Sequence, residues 1–381
     1  MPWADRTRQQ RLIVCRWPSA LLLIALAASH GSCAPVPPPS STSGTAAGPA
    51  AVAGPPTRYE DLALYSGADR DAALLAGAQR EGTVTWYTSL AGIGPQVVAD
   101  AFQQRYGVPV DLYRADDANL LKRFTEEQRA GRYAADAIET TGAAIQELAR
   151  ANQIIPFYTV HAGTYPGRAL RGAGTDRVLG IVDRESYQVF AYNTRLFSRD
   201  AAPRTYRDLA RPDFRGKLVM AGTSTGVNQV GNWLLNVGGD FVEQMQQQQI
   251  QIQNVSGAAV LGLVVTGEFP ASPTTFREHH VELRQKDPDA PADYVPLEPV
   301  VTNAGTIVLP VGAPHPNAAI LFADWIVAPD GGQAVLEQLG RGSAAKDPGF
   351  QRWYPDDLPP DRLEAQYEDW QRRLYQLGGL R

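Results

Sequence analysis

Between residues 80 and 151 the apolar positions switch repeatedly between a period of two and a period near 3.6. Residues 83–90 (TVTWYTSL) are β-branched and aromatic, which predicts a strand ending at Thr88 and Ser89. Residues 95–107 place Val97, Val98, Ala101 and Phe102 on one face of a helix that stops at Gly107. A strand at 108–115 follows, then a helix at 117–131 with Leu120, Leu121 and Phe124 inward and Gly131 as its stop. A short buried strand at 135–140 and a helix at 142–151 complete the unit. This βαβαβα order predicts an α/β fold with a mostly parallel sheet and helices on both faces. Ligands of such sheets bind beyond the carboxyl ends of the strands. Here those ends are Thr88 and Ser89, the stretch 114–117 that contains Arg114, Asp116 and Asp117, and the stretch 139–142 that contains Glu139, Thr140 and Thr141.

A long extended run at 184–197 introduces a second round of the pattern. A strand–loop–helix unit is expected at 218–236, where Thr223, Ser224, Thr225 and Gly226 join strand to helix. A helix at 240–253 carries the glutamine run 246–249, read as a solvated face. Residues 299–311 are again extended. Residues 313–327 (APHPNAAILFADWIV) predict a helix with proline ahead of its first turn, Asn317 near the cap, and Leu321, Phe322 and Trp325 inward. In the tail, Leu363, Tyr367, Trp370 and Leu374 fall on one stripe of a helix over 361–377, which is expected to dock on the body.

The length, 381 residues, suggests two domains. A hydrophobic share of 44% with 20% charged residues suits a globular body, and a net charge of −5 argues against a nucleic-acid partner. The N-terminus reads as a signal peptide over 1–32: Arg6, Arg8, Arg11 and Arg16 precede the apolar run ALLLIALAAS (20–29), which is too short to span a membrane as a stable helix. Cys33, behind Gly31 and Ser32, stands where a bacterial lipoprotein is acylated, although His30 replaces the usual aliphatic residue. Ordinary cleavage nearby is the alternative. Residues 33–56, after Cys33 at their start, are mostly Pro, Ser, Gly and Ala without charge, a tether. Loss of the leader takes four Arg and one Asp from the 35 basic and 40 acidic residues, so the remaining net charge is −8. The only two cysteines are Cys15 and Cys33, so the body holds no thiol for a disulfide, a zinc site or a nucleophile.

The segment APHPNAAILFADWIVAPDGGQAVLEQLGR (313–341) resembles part of the extracellular solute-binding proteins of ABC importers, notably at Pro314, Pro316, Asn317, Trp325, Gly332 and Gln333. In the same order as in that family, 83–90 is similar to its first strand, 189–197 to its interdomain strand and 202–220 to the segment after it. The resemblance covers about residues 80–345 and is nearest to the ferric-iron-binding subgroup. It implies a two-lobed type II periplasmic-binding-protein fold with two hinge strands. The lobes would be 57–184 with 303–342, and 190–298 with 343–381, joined by crossings at 185–189 and 299–302. It also implies a periplasmic or cell-envelope location, a small-molecule or small-ion solute held in the cleft, and an ABC permease as partner. The protein is expected to be a monomer anchored through lipid on Cys33, with no cofactor.

The loop Thr223–Gly226 can present free N–H groups and hydroxyls to an anion, or serve only as a helix cap. In iron-binding relatives a Thr-Ser-Gly turn here holds an anion beside the metal, and Thr88, Ser89, Thr140 and Thr141 would be matching helix starts of the first lobe. Those relatives commonly present two adjacent tyrosines to the metal. Phe276 and Arg277 stand at those positions here, and neither ligates iron. No metal ligands are therefore assigned. The expected solute is anionic or polar, with Ser224, Thr225, Gly226, Arg277 and Arg114 as contacts. Tyr187 and Tyr192 can stack on it or serve the hinge strand. Asp116, Asp117 and Glu139 keep a cationic ligand open, with iron as the alternative cargo. Adjacent His279 and His280 point about 100° apart on a helix, do not chelate together and read as surface residues.

An enzyme is the competing class. His161, His279, His280 and His315 sit in no Gly-x-Ser-x-Gly or His-Glu-x-x-His context, and His315, between two prolines, reads as structural. A sensory or scaffolding lipoprotein is the other alternative. Lipidation has a direct check: Cys33→Ser should move the protein from the detergent-soluble membrane fraction to the soluble envelope fraction, and a variant still found with membranes would rule out this anchor.

Overall fold

The computed structural model describes residues 54–172 and 177–379. The expected signal peptide, Cys33 and the tether up to residue 53 lie outside the described residues. The helix Arg70–Glu81 (α1) leads into strand Val84–Thr88 (β1), helix Gly94–Tyr106 (α2), strand Val110–Arg114 (β2), helix Asp117–Arg129 (α3), strand Ala137–Thr141 (β3) and helix Gly142–Arg150 (α4). β1 pairs in parallel with both β2 and β3, as the alternating pattern predicts. Gly107 ends α2 in the left-handed region (φ 71°), which glycine adopts without a side-chain clash.

The extended run becomes strand Gly180–Asn193 (β4), buried along its whole length. Strand Val219–Ala221 (β5), helix Ser224–Asn232 (α5), strand Gln251–Gln253 (β6), helix Gly257–Thr266 (α6), strand Ala271–Phe276 (β7) and helix Arg277–Lys286 (α7) follow. Strands Ala292–Val295 (β8) and Val300–Pro310 (β9) lead to helix Pro316–Val327 (α8), strand Arg352–Trp353 (β10) and helix Pro360–Leu377 (α9). The main sheet runs β7–β4–β9–β3–β1–β2, with β8 beside β4 and β10 beside β9. β4 and β9 are antiparallel to each other, and β5 and β6 form a separate parallel pair. One core gathers Ile181, Val182 and Ile307 with α1, α2 and α8; another gathers Phe190 and Tyr192 with α5 and α9. Thus β4 enters one core and leaves through the other, and the chain returns through β9.

The segment 313–327 folds as its pattern predicts, for reasons that involve distant residues. Glu81 accepts hydrogen bonds from the Asn317 and Ala318 N–H groups (3.1 and 2.8 Å), so a carboxylate from α1 answers the open start of α8. His315 pairs with buried Asp136 at 2.8 Å, the structural role read from its prolines. Phe322 packs against Trp86 and Phe102 with ring centroids 5.1 and 5.0 Å apart.

The expected helix over 240–253 is shorter. It runs from Gly239 to Met245, tightens over Gln246–Gln248, and turns at Gln249 (φ 55°) so that β6 can pair with β5. Gln248 is buried and donates to the Ala210 carbonyl, while its neighbours in the run are exposed. Helix α9 docks with Trp370, Leu374 and Leu377 in the second core, whereas Ala344 and Tyr354 pack in the first. Trp370 is 2% exposed and lies against Gly231 of α5, where a Cβ would meet its ring at 2.5 Å. Trp370→Ala should therefore cost roughly 3–5 kcal/mol, readable as a lowered urea midpoint, and a midpoint equal to wild type would show that α9 is not part of the cooperative fold.

Candidate functional site

The ends of β3, β7 and β9 and the starts of α3, α4 and α5 surround a cavity of about 420 Å³. Asp117 and Thr141 come from the first round of the fold, Ser224, Thr225, Asn228 and Phe276 from the second, and Thr302 and Asn303 from β9. Asp356, Leu363 and Tyr367 come from the tail. The two helix starts at the cavity differ. At α4, Asp117 accepts from both Thr140 and Thr141 hydroxyls (2.6 and 3.0 Å), and Asp356 accepts from the Gly142 N–H at 3.1 Å. The chain's own carboxylates thus fill the place where a helix start attracts an anion. At α5 the cap residue Thr223 makes no side-chain cap bond. Its first turn therefore keeps N–H groups beside the Ser224 and Thr225 hydroxyls.

Asp117, Glu147 and Asp356 line the cavity, and no Lys, Arg or His does so among the described residues. Burial pushes the Asp356 carboxyl above its usual range, with Asp117 and Asp357 adding to the rise and the Gly142 N–H and Arg171 opposing it. The lining is polar, and among the described residues it holds no cation that would face an anionic solute.

Other expected contacts lie elsewhere. Thr88 and Glu139 are fully buried: the Thr88 hydroxyl donates to Glu139, and Arg184 pairs with the same carboxylate at 2.8 Å. Ser89 accepts from Arg184 at 3.3 Å. Arg114 is exposed and donates to the Leu90 carbonyl. Gly226 is packed behind the cavity wall, where a Cβ would meet the Ala221 carbonyl at 1.9 Å, so this glycine serves a close backbone approach. Tyr187 is buried and donates to Glu185 at 2.6 Å. Arg277 lies over the Tyr187 ring, donates to the Gly340 carbonyl at 2.9 Å, and lines a second hollow with Tyr187 and Arg341. Tyr192 donates to Asp293. Of the expected contacts, Thr141, Ser224 and Thr225 line the cavity, as does Asp117, named for a cationic ligand, and the rest do not.

The histidine pair is a correction. His280 is 3% exposed, packs against Tyr294 and sits 3.3 Å from the Thr275 hydroxyl, and His279 is half-buried against Phe276. The α7 helix turns both toward the strands rather than to solvent. Among the described residues no group of three or more His, Cys, Asp and Glu side chains converges as for a metal ion, and no helix is long and apolar enough to cross a membrane.

Two α/β halves threaded by paired long strands, with a polar cavity at the strand ends, define a solute-binding class of protein. The chain belongs to the bacterial extracellular solute-binding proteins, whose family model matches residues 97–349. Proteins of this family are not enzymes; they serve ABC importers by binding small solutes outside the cytoplasm and delivering them to a membrane permease. No curated protein matches the chain. Among solved structures, it is similar to iron-bound HitA of Pseudomonas aeruginosa at 18% identity and a TM-score of 0.61, covering 77% of this chain and 99% of that one. A substrate-binding protein of an Agrobacterium tumefaciens ABC transporter gives 14% identity, a TM-score of 0.63, and coverage of 79% and 96%. AfuA of Actinobacillus pleuropneumoniae, with fructose-6-phosphate bound, gives 18%, 0.54, and 77% and 96%. At these identities the likeness is one of fold, and it extends to the type II periplasmic-binding architecture.

The buried histidine has a measurable consequence. Burial, aided by His279, pushes His280 down to about 3, below its ordinary 6.5. The unfolded chain then binds a proton that the folded chain refuses, so stability falls as pH drops from 6.5 toward 3, by roughly 1.4 kcal/mol per unit for this group. Thermal unfolding of His280→Asn between pH 4 and 7 should show a shallower acid slope than wild type, and an unchanged slope would exclude His280 as its source.

Proposed function

We propose that the solute carries hydrogen-bond donors, ammonium or hydroxyl, and enters the cavity with its donor end at Asp117 and Asp356. One observation carries this reading: among the described residues, carboxylates line the cavity and no Lys, Arg or His side chain lines it with them. The open start of α5, with Ser224 and Thr225, receives an acceptor group of the same molecule. Two lobes close on it by hinge motion at the β4 and β9 crossings. The mature protein acts as a monomer held at the membrane through lipid on Cys33. Native mass spectrometry of protein from its own cells tests the reading. An amine or polyol released on denaturation supports it, and a carboxylate or phosphate ester overturns it.

Ferric iron is the second reading, favoured by the likeness to iron-bound HitA and by the ferric binding protein of Campylobacter jejuni, which shares the fold at a TM-score of 0.59. Here Asp117, Asp356 and Tyr367 supply the oxygen groups of the cavity. The two readings separate cleanly. Ferric citrate should produce no tyrosinate charge-transfer band, and an amine or polyol that raises the melting temperature should lose at least tenfold in affinity in Asp117→Asn. A visible band that disappears in Tyr367→Phe would establish iron instead.

A further inference from the structure

A hollow of about 300 Å³ adjoins the cavity and shares Asp356, Leu363 and Tyr367 with it. Leu358 and Leu363 give it an apolar floor, Gln146 of α4 stands on one side, and exposed Glu364 and Glu368 stand on α9. Every one of these residues except Gln146 lies past residue 349, where the match to the family model ends. The tail is held in place by buried polar bonds rather than by loose packing. Arg352 pairs with Glu185 of β4 at 2.7 Å, and the Tyr354 hydroxyl donates to the same carboxylate at 2.5 Å. β10 pairs with β9 at Val300 and Val301, and the Asp356 carboxylate accepts from Gly142. The hollow is therefore a built wall, continuous with the cavity, and not a crease beneath a frayed end.

Leu358, Leu363 and Tyr367 are all half-buried and leave apolar surface open toward this space. Water gains little there, whereas an apolar group entering it would be removed from water beside a polar site, the usual composition of a small-molecule pocket. The carboxylates around it select against an anionic extension and favour a cationic neighbour. Among the described residues, the lining of the two spaces together contains no Lys, Arg or His.

We propose that the hollow is a subsite for the aromatic or alkyl body of the solute, whose ammonium head lies at Asp117 and Asp356, so that the cargo is an arylalkyl- or alkylammonium compound. This rests on the donor-bearing solute proposed above and narrows it to one class. The tail then selects the body of the solute, while Asp117 of the family-matched part and Asp356 of the tail hold its head.

The test uses the full chain, dialysed from a denaturant to remove carried-over solute and refolded. Three probes are titrated: 2-phenylethylammonium, methylammonium and phenylacetate. The first should bind at least tenfold more tightly than the second, and phenylacetate should not bind. Leu358→Trp, which fills only the hollow, should reduce affinity for 2-phenylethylammonium at least tenfold and leave methylammonium unaffected; Leu358→Phe serves if the tryptophan variant does not fold. Equal affinity of the two ammonium probes, or no effect of either substitution, would overturn the subsite while leaving the cavity intact. Tighter binding of phenylacetate, or no binding of either ammonium probe, would overturn the ammonium class itself. In that case, a cognate amine or polyol that still depends on Asp117 would show that the donor-bearing reading survives without the narrower one.

Discussion

The charges on β4 have to be answered inside the protein. The strand carries Asp183, Arg184 and Glu185 through the middle of the sheet, and all three are at most 3% exposed. Removing such groups from water costs several kcal/mol each unless a partner and hydrogen bonds replace the lost solvation. Glu139 of β3 answers Arg184, and Arg352 and Tyr354 answer Glu185. Arg341 reaches Ser186 on the strand, Glu278 at the start of α7 and the Ala91 carbonyl. Asp183 has a carboxyl held well above its usual range by burial and by Glu139 beside it. These partners come from both halves of the fold and from the tail. The crossover is thus the place where the three parts are fixed to one another.

The path of the tail follows from that constraint, and the chemistry of the cavity follows from the path. Because Arg352 and Tyr354 must reach Glu185, residues 352–356 pass over the crossover and bring Asp356 to the Gly142 N–H. Helix α9 then lies along α5, whose first turn faces the same cavity. One helix start at the cavity is filled by carboxylates of the chain, and the other is left open. An anion meets repulsion at the first and attraction at the second, while a donor-bearing head with an acceptor group satisfies both.

Local signals made much of the fold legible. The period changes at 83–151 mark β1 to α4, the long run at 184–197 marks β4, and the stripe Leu363–Leu374 marks the docked helix. The Gln run misled because helical propensity says nothing about the partner that draws Ile252 into β6 beside β5. Burial of His280 was likewise set by Tyr294 and Thr275, both brought there by strand pairing. At the cavity, helix-start chemistry found Thr141, Ser224 and Thr225, and the same reasoning named Thr88 and Glu139, which the sheet turns inward to answer Arg184. Asp356 and Tyr367 had no signal of this kind. Asp356 looks in the sequence like an ordinary charged residue of a surface tail and Tyr367 like one more docking residue of the helical stripe, and the long-range bonds of Arg352 and Tyr354 place them at the site.

Phe276 and Arg277 show why neighbours in sequence need not share a role. Successive side chains at a strand end point to opposite sides. Phe276 therefore faces the cavity, while Arg277 turns to the other hollow, where its guanidinium covers Tyr187 and its Nε–H meets the Gly340 carbonyl. With Arg277 engaged on the far side and Arg184 and Arg341 paired within the interior, no Lys, Arg or His among the described residues stands beside Asp117 and Asp356 in the cavity lining. The charge balance of the lining is therefore negative. It is set by an arginine that sequence position places near the ligand and strand geometry directs away, and by an aspartate that sequence position places far from it and the buried crossover brings back.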